Sequence, residues 1–268
     1  MSISSVFNDF LAAEGDPARG CHNGAVADAP RPDLDLGLFE TLLVLDGRPV
    51  ELEAHLARLA ASLAELFPER PAPDLREEVE SPAQRIDSGS LKAVVAPTAG
   101  TALRAQIEVR APRSRGEPVG LRCIPVPGGL GAHKWADRSQ IEKTQARLPR
   151  GSLPLIVDTD GAVLETSRAN LFAVHDGTLL TPPTDGRILP GITRMRTIEI
   201  AVAAGVDTHE TELCGADLLA AEEVFLTGSV RGVERATALD GIELSGPGEV
   251  GALVAAEMRR RWNSVPVG

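Results

Sequence analysis

Residues 158–194 read DTDGAVLETSRANLFAVHDGTLLTPPTDGRILPGITR. Within them, Asp176-Gly177 separates two short apolar segments, and an Asp-Gly pair in such a position is typical of a β-hairpin. We therefore predict paired strands over 170–175 and 178–181. The first of these strands follows Glu165, which is expected to lie between two strands.

Pro190-Gly191 marks the next change of structure and predicts the start of a helix that runs to about Gly205. The free N–H groups at a helix start, together with the hydroxyl of Thr193, form a suitable phosphate site. Thr193 could equally serve only as a helix cap. The helix has an apolar side made by Ile192, Met195, Ile198 and Val202.

The N-terminal half combines strands with a strongly amphipathic helix. Residues 38–45 predict a strand, and Asp46-Gly47 predicts a turn into a short second strand through Val50 and Leu52. Leucines spaced by four and three residues then predict a helix that Pro68 ends. Later strands are expected at 91–96, 102–110, 119–126, 153–158, 223–227 and 233–238, with further helices at 137–147 and 248–262.

The proline- and glycine-rich segment 125–131 (PVPGGLG) predicts a domain boundary. We expect an N-terminal extension over 1–33, a small α+β domain over 34–124 and a larger, strand-rich domain over 125–268. The fold class is therefore α+β with two domains.

Composition limits the possible functions of these 268 residues. A net charge of −11 argues against nucleic-acid binding, which needs a basic face. No apolar run approaches the roughly 20 residues that cross a bilayer, and we expect a cytoplasmic protein. Three separated cysteines predict neither a disulfide framework nor a zinc site. The chain has only three lysines and no tyrosine, so any chemistry that needs a primary amine has few candidates.

Four positions could carry chemistry, and each has a structural alternative. Lys134 follows the glycine-rich segment, where burial would make it a nucleophile or base, although most lysines are simply exposed. Glu165 could accept a hydrogen bond from a ring nitrogen or cap a turn. Arg58 could bind a phosphate or lie in solvent on the helix face opposite the leucines. Thr227-Gly228-Ser229 could approach a ligand or form a tight hairpin.

Together and in this order, six segments resemble the class IV aminotransferases, which are fold-type IV pyridoxal-phosphate enzymes. The segments are GLFETLLV, EAHLARLAASL, HKWADR, DTDGAVLETSRANLFAVHDGTLLTPP, ILPGITR and EEVFLTGSVRGV, which span residues 37 to about 241. The family includes branched-chain and D-amino-acid aminotransferases and aminodeoxychorismate lyases. Its members have a small and a large domain with the cofactor between them, and they are usually homodimers.

The resemblance assigns a role to each matched residue. Lys134 matches the lysine that carries the cofactor, and Glu165 matches the carboxylate that keeps its pyridine nitrogen protonated. Arg58, Ile192, Thr193 and Ser229 match the residues that bind the cofactor phosphate.

Two departures from the branched-chain enzymes point to the lyases within this family. Arg138 and Ser139 stand where branched-chain enzymes have an asparagine–tyrosine pair. Thr41, in FETL, stands where lyases place a threonine near the substrate. The resemblance therefore implies a lyase that releases pyruvate and 4-aminobenzoate, with Thr41 and Arg138 on the substrate side and aminodeoxychorismate synthase as a partner.

Two alternatives remain open. The first is an aminotransferase that acts on branched-chain or D-amino acids with a 2-oxo acid. The second is a cofactor-binding domain that has lost catalysis, against which an intact Lys134–Glu165 pair argues.

Overall fold

The computed structural model describes residues 32–112, 118–246 and 248–264, so most of the N-terminal extension predicted over 1–33 lies outside the described residues. The described chain forms a four-stranded and a nine-stranded sheet with helices packed on both. The helices are α1 (Leu52–Leu66), α2 (Arg76–Ala83), α3 (Ser139–Arg147), α4 (Ile192–Ala203), α5 (Gly215–Ala220) and α6 (Glu249–Asn263). In the described part of the chain, no helix has both the length and the apolar character needed to cross a membrane.

The small sheet is antiparallel, in the order β2-β1-β3-β4. Its strands are β1 (Leu38–Leu45), β2 (Arg48–Pro49), β3 (Ser88–Pro97) and β4 (Leu103–Arg110). The leucines of α1 cover one face of this sheet, because their spacing places them on one side of the helix. Leu59 and Leu63 there are almost fully buried against Leu42 and Val95.

The second predicted strand is shorter than expected, and the extension through Val50 and Leu52 is wrong. The strand ends at Pro49 because Glu51 adopts a left-handed backbone conformation with φ of 55°, and α1 begins at Leu52. Such a φ is unfavourable for a residue with a side chain and interrupts an extended strand.

The large sheet contains a closed ring of six strands. Its strands are β5 (Val119–Pro125), β6 (Ser152–Val157), β7 (Val163–Thr166), β8 (Asn170–His175), β9 (Thr178–Thr181), β10 (Thr208–Glu210), β11 (Glu223–Gly228), β12 (Gly232–Leu239) and β13 (Ile242–Glu243). Pairing runs β8-β11-β12-β5-β6-β7, and β7 returns to β8 through the pair Glu165 and Asn170. The largest apolar cluster takes residues from all six strands, including Leu121, Leu155 and Leu171.

The chain passes from the small sheet to the large sheet before it reaches the glycine-rich segment 125–131. Strand β5 was expected in the small domain, yet it pairs in parallel with β6 and β12 of the large sheet. The chain therefore changes sheets between Arg110 and Val119 rather than at residue 125. The glycine-rich segment instead joins two parts of the large sheet and passes beside the cavity described below.

Helix α4 buries only part of the apolar side that the sequence indicates: Ile192 is buried and Ile198 packs against the cluster around Phe172 and Phe225. Met195 and Val202 are 42% and 59% exposed, whereas Thr197 and Ala201 are fully buried. The buried side faces the second core around Phe172 and Phe225, where small side chains allow close packing. The expected apolar side is thus packed at Ile192 and Ile198 and exposed at Met195 and Val202.

The two sheets meet through the second face of β1. Leu43 packs with Val50 against Ile200 of α4 and Trp262 of α6. At the same junction, Glu51 accepts hydrogen bonds from Arg196 and Arg261 at 2.8–3.1 Å. The start of α1 is therefore fixed to two helices of the large sheet.

Candidate active site

A cavity of about 580 Å³ lies where α1, the glycine-rich segment and the start of α4 meet. Its volume is within the range usual for small-molecule sites. Its lining includes seven of the eight residues to which the resemblance assigns a place in the site: Arg58, Lys134, Arg138, Glu165, Ile192, Thr193 and Ser229. Thr41 is not in this lining; it lies half-buried on β1, opposite Lys92 in the strand register.

Lys134 is held by a short backbone pairing with β1. The N–H of Phe39 donates to the Lys134 carbonyl at 2.9 Å, and Leu38 bridges to Trp135. The lysine Nζ lies 4.9 Å from the centre of the Phe39 ring. Burial, aided by the positive charge of Arg58, lowers the pKa of Lys134 to about 8. About a tenth of this amine is therefore neutral at pH 7, far more than for an exposed lysine, and can act as a nucleophile or base.

Glu165 lies within strand β7 rather than in a turn, and its carboxylate is buried. The N–H of Leu189 donates to Oε1 at 3.1 Å, and the Asn170 amide donates to Oε2 at 3.2 Å. Burial raises the pKa of Glu165 to about 7, although these contacts and nearby cations oppose the rise. Such a carboxyl would be stabilised in its charged form by a cationic N–H placed in the cavity.

The start of α4 forms an anion-binding corner. Gly191 precedes the helix and offers no side chain to cap the first N–H groups. The hydroxyls of Thr193 and Ser229 lie 3.3 Å apart beside this helix start. Thr227, at the end of β11, has a buried hydroxyl with no partner among the described residues, and it also lines the cavity. These groups can donate several hydrogen bonds to one phosphate.

Arg58 is not the solvated arginine that its position opposite the leucines allowed. Its guanidinium donates to both oxygens of Glu40, at 2.8 and 2.7 Å, and to the Pro190 carbonyl at 3.0 Å. His55 binds the same carboxylate at 2.8 Å. Burial alone would raise the pKa of Glu40, but Arg58 and His55 together lower it to about 2. Arg58 is thus held rigidly beside the start of α4.

Arg138 brings a second cation to the cavity wall. Its guanidinium donates to the carbonyl of Ser167 and forms no ion pair with any residue that the structure describes. Burial lowers its pKa, although a guanidinium stays charged at neutral pH. Arg168, which also lines the cavity, differs because the buried carboxylate of Glu234 binds it. Arg138 is therefore suited to receive a carboxylate.

These residues fit pyridoxal phosphate. The cofactor needs an amine for its aldehyde, a carboxylate for its pyridine N–H and hydrogen-bond donors for its phosphate. Lys134, the buried Glu165 and the Thr227 hydroxyl, which has no partner among the described residues, offer these three groups in the lining of one cavity. A side chain at Gly191 would collide with Asn170, since a Cβ there would lie 1.9 Å from its Oδ1.

Sequence reasoning missed Glu40, His55 and Asn170, whereas Thr227 belongs to the segment that the sequence named as able to approach a ligand. A signal for Glu40 existed, because it occupies an inward position of β1 between buried Leu38 and Leu42. A charged residue in such a position needs a partner. The contact of Asn170 with Glu165 depends on closure of the strand ring, which no local pattern predicts.

Comparison with known proteins gives one consistent family. The family described as amino-transferase class IV matches residues 37–239. A relative from Mycobacterium tuberculosis (strain ATCC 25618 / H37Rv), called a bifunctional aminodeoxychorismate lyase / D-amino acid transaminase, is 34% identical over 243 residues. This match covers 78% of this chain and 83% of the relative.

Solved structures show the same similarity. A hypothetical aminotransferase from M. tuberculosis in its PLP-bound form is 30% identical, with a TM-score of 0.76 and coverage of 90% of this chain and 97% of that one. A 4-amino-4-deoxychorismate lyase from Pseudomonas aeruginosa is 26% identical, with a TM-score of 0.73 and coverage of 88% and 96%.

Proposed function

The chain belongs to the class IV aminotransferase family and uses pyridoxal phosphate, and we propose that it is a 4-amino-4-deoxychorismate lyase. The reaction releases pyruvate and leaves 4-aminobenzoate, a precursor of folate. The observation that carries this proposal is that Arg138, which has no carboxylate partner among the described residues, lines the same cavity as Lys134 and Glu165. The lyase substrate carries two carboxylates, and a fixed guanidinium is a strong partner for such a group. The first part of the M. tuberculosis relative's name supports the same activity.

Each residue has a part in the proposed reaction. Pyridoxal phosphate supplies a protonated ring that accepts electrons from the substrate. Glu165 holds the pyridine N–H, and the start of α4 with Arg58, Ile192, Thr193 and Ser229 holds the phosphate. Lys134 would hold the aldehyde of the cofactor, and its free amine would accept the proton from the substrate carbon that bears the amine.

The elimination uses the electron pair that this proton transfer leaves on the substrate. The bond between the neighbouring ring carbon and the ether oxygen breaks, and the leaving enolpyruvate takes up a proton to become pyruvate. The ring left behind becomes aromatic, which drives the step. Thr41 is proposed as a hydroxyl on the substrate side, because it shares a face of β1 with Phe39, whose ring contacts Lys134. Arg138 is proposed to hold a substrate carboxylate.

An aminotransferase is the second candidate, since the name of the same relative includes D-amino acid transaminase. Lys134 would then return its proton to a cofactor carbon instead of leading to elimination. Besides D-amino acids, branched-chain amino acids are the other class of substrate for such an aminotransferase. The cavity residues are the same in both reactions, so contacts on the substrate side determine the outcome.

The test is to incubate the purified, cofactor-loaded protein with aminodeoxychorismate and no 2-oxo acid. A lyase releases equal amounts of 4-aminobenzoate and pyruvate. Fluorescence measures the 4-aminobenzoate, and a coupled assay with lactate dehydrogenase measures the pyruvate. Conversion of the bound cofactor to its amine form by D-alanine or leucine, without release of 4-aminobenzoate, would identify an aminotransferase. A bound cofactor with neither reaction would favour a domain without catalysis. Lys134→Ala is the negative control.

Three further features belong to the same proposal. The protein acts in the cytoplasm and as a homodimer. Aminodeoxychorismate synthase supplies the substrate and is the expected functional partner. Size-exclusion chromatography with light scattering tests the dimer, and co-purification with the synthase tests the partnership.

A further inference from the structure

Behind the anion-binding corner, His55 lies in a buried polar group with Glu40 and Arg58. The side chains of His55 and Glu40 are only 1% and 2% exposed. Glu40 is ionised because of Arg58, so its oxygens accept hydrogen bonds and His55 Nδ1 must carry the proton that it donates. This fixes the orientation of the ring. The other ring nitrogen, Nε2, then points away from Glu40.

His55 Nε2 is buried and has no hydrogen-bond partner among the residues that the structure describes. A buried nitrogen without a hydrogen-bond partner destabilises the folded protein, so a partner at this position is favoured. His55 lines a second, much smaller cavity of about 10 Å³, which is close to the space that one water molecule needs. Thr193 and Ser229, the two hydroxyl residues of the anion-binding corner, line the same small cavity.

We propose that His55 is a positioning residue of the phosphate site, which acts through one water in this small cavity. The water joins His55 Nε2 to the hydroxyls of Thr193 and Ser229. This inference rests on the proposed function in one respect, namely that the phosphate of the cofactor binds at the start of α4.

The hydrogen bonds explain why such a water is useful. The two hydroxyls lie 3.3 Å apart, and one donates to the other when no third group is present. A water that donates one proton to Nε2 and the other to one hydroxyl oxygen leaves that hydroxyl's own proton free to point toward the anion. Glu51 and Arg196, the charged residues that also line the small cavity, already bind each other, and Arg196 binds Glu199 as well. His55 is therefore the group there with an unsatisfied polar atom.

Two substitutions test the roles of the two ring nitrogens of His55 separately. The amide of Asn reaches the position of Nδ1, whereas the amide of Gln reaches the position of Nε2. His55→Asn thus keeps the contact with Glu40 and loses the proposed water contact, and His55→Gln does the reverse. The affinity of the cofactor-free protein is measured by absorbance titration for pyridoxal phosphate and for pyridoxal, which lacks the phosphate.

We expect His55→Asn to bind pyridoxal phosphate about tenfold more weakly than wild type, with unchanged affinity for pyridoxal, and His55→Gln to bind both as wild type does. Wild-type affinity in His55→Asn would overturn the inference. So would a loss in His55→Gln alone, because His55 would then serve only to anchor Glu40. An equal loss for both ligands in His55→Asn would also overturn it.

A second variant covers the case in which a His55 variant does not fold. Val50→Ile adds one methyl group to a residue that lines the small cavity, which excludes the water and leaves His55 in place. We expect a similar selective loss of pyridoxal-phosphate affinity, and wild-type affinity in this variant would overturn the inference. Binding of the cofactor without lyase or aminotransferase turnover would contradict the proposed function and leave this inference intact.

Discussion

The amide of Asn170 donates to the carboxylate of Glu165 at 3.2 Å, and the same two residues form the Cα pair that joins β7 to β8. The group proposed to hold the pyridine nitrogen therefore lies at the closure of the strand ring. Asn170 also donates to the Leu189 carbonyl at 3.0 Å, just before the start of α4. One amide thus connects the carboxylate site with the phosphate site.

Removal of this amide should weaken both the fold and the cofactor site. Asn170→Ala removes the donor to the buried Glu165 Oε2 and to the half-buried Leu189 carbonyl, so we expect the free energy of unfolding to fall by about 1–3 kcal/mol. Asn170→Asp should bind pyridoxal phosphate even less well than the alanine variant, because a second carboxylate would compete with Glu165 for the same proton. Chemical denaturation and absorbance titration measure the two effects. Equal cofactor affinity in all three proteins would contradict this role.

The buried carboxyl of Glu165 should destabilise the cofactor-free protein as the pH rises. Burial raises its pKa to about 7, so the folded state binds more protons than the unfolded state between about pH 4.5 and 7, and stability falls across this range. Glu165→Gln removes this loss. We expect the variant to gain melting temperature over wild type at pH 8 but not at pH 4.5, as measured by thermal unfolding. Glu243→Gln, at an exposed site, is the control and should show no such dependence.

Cofactor loading should accelerate with pH. Burial lowers the pKa of Lys134 to about 8, and only the neutral amine attacks an aldehyde. The rate at which the cofactor-free protein incorporates pyridoxal phosphate should therefore rise about tenfold from pH 7 to pH 9 and then level off. Stopped-flow absorbance gives this rate. Lys134→Ala should lose the visible band of the bound cofactor, whereas Lys143→Ala should behave as wild type. A pH-independent rate would contradict the assignment.

Arg138 should affect substrate binding more than cofactor binding. Arg138→Gln removes the charge while keeping a donor for Ser167, and we expect kcat/KM for aminodeoxychorismate to fall about 10²-fold. Affinity for pyridoxal phosphate should stay close to that of wild type. The comparison needs steady-state kinetics and the absorbance titration described above. A loss of affinity for pyridoxal phosphate without a loss of kcat/KM would contradict the proposed contact between Arg138 and the substrate.

Glu51 should stabilise the junction between the two sheets in a pH-dependent way. Burial opposes its ionisation, but hydrogen bonds from Arg196 and Arg261 lower its pKa overall. Its contribution is therefore present above the unfolded-state pKa of about 4.3 and is lost as the pH falls through the lower folded-state pKa. Glu51→Gln should cost about 1–2 kcal/mol at pH 7 and little at low pH. Glu257→Gln, which removes an exposed pair within α6, should have almost no effect at either pH.

Much of the secondary structure follows from local patterns. The leucine spacing predicted α1, and Asp176-Gly177 predicted the hairpin of β8 and β9; the structure confirms both. The failures have non-local causes. The exposure of Met195 and Val202 depends on which side of α4 faces the sheet, and the parallel pairing of β5 with β6 and β12 joins segments far apart in the chain.

The candidate site shows the same division. Its ordered motifs led to seven residues that the structure places around one cavity. The groups that orient them, Glu40 and Asn170, could not be found in this way, because their partners lie on other elements. Thr41 remains a prediction, since it does not line the described cavity.

The positions of the two tryptophans provide an optical means to follow the molecule. The chain contains no tyrosine, so its ultraviolet emission comes from Trp135 and Trp262. Trp135 borders the large cavity immediately after Lys134, while Trp262 lies at the junction with Leu43 and borders the small cavity behind the phosphate corner. Replacing either one with Phe gives a protein with a single fluorophore. Arrival of the cofactor and separation of the two sheets can then be recorded independently, without any attached dye.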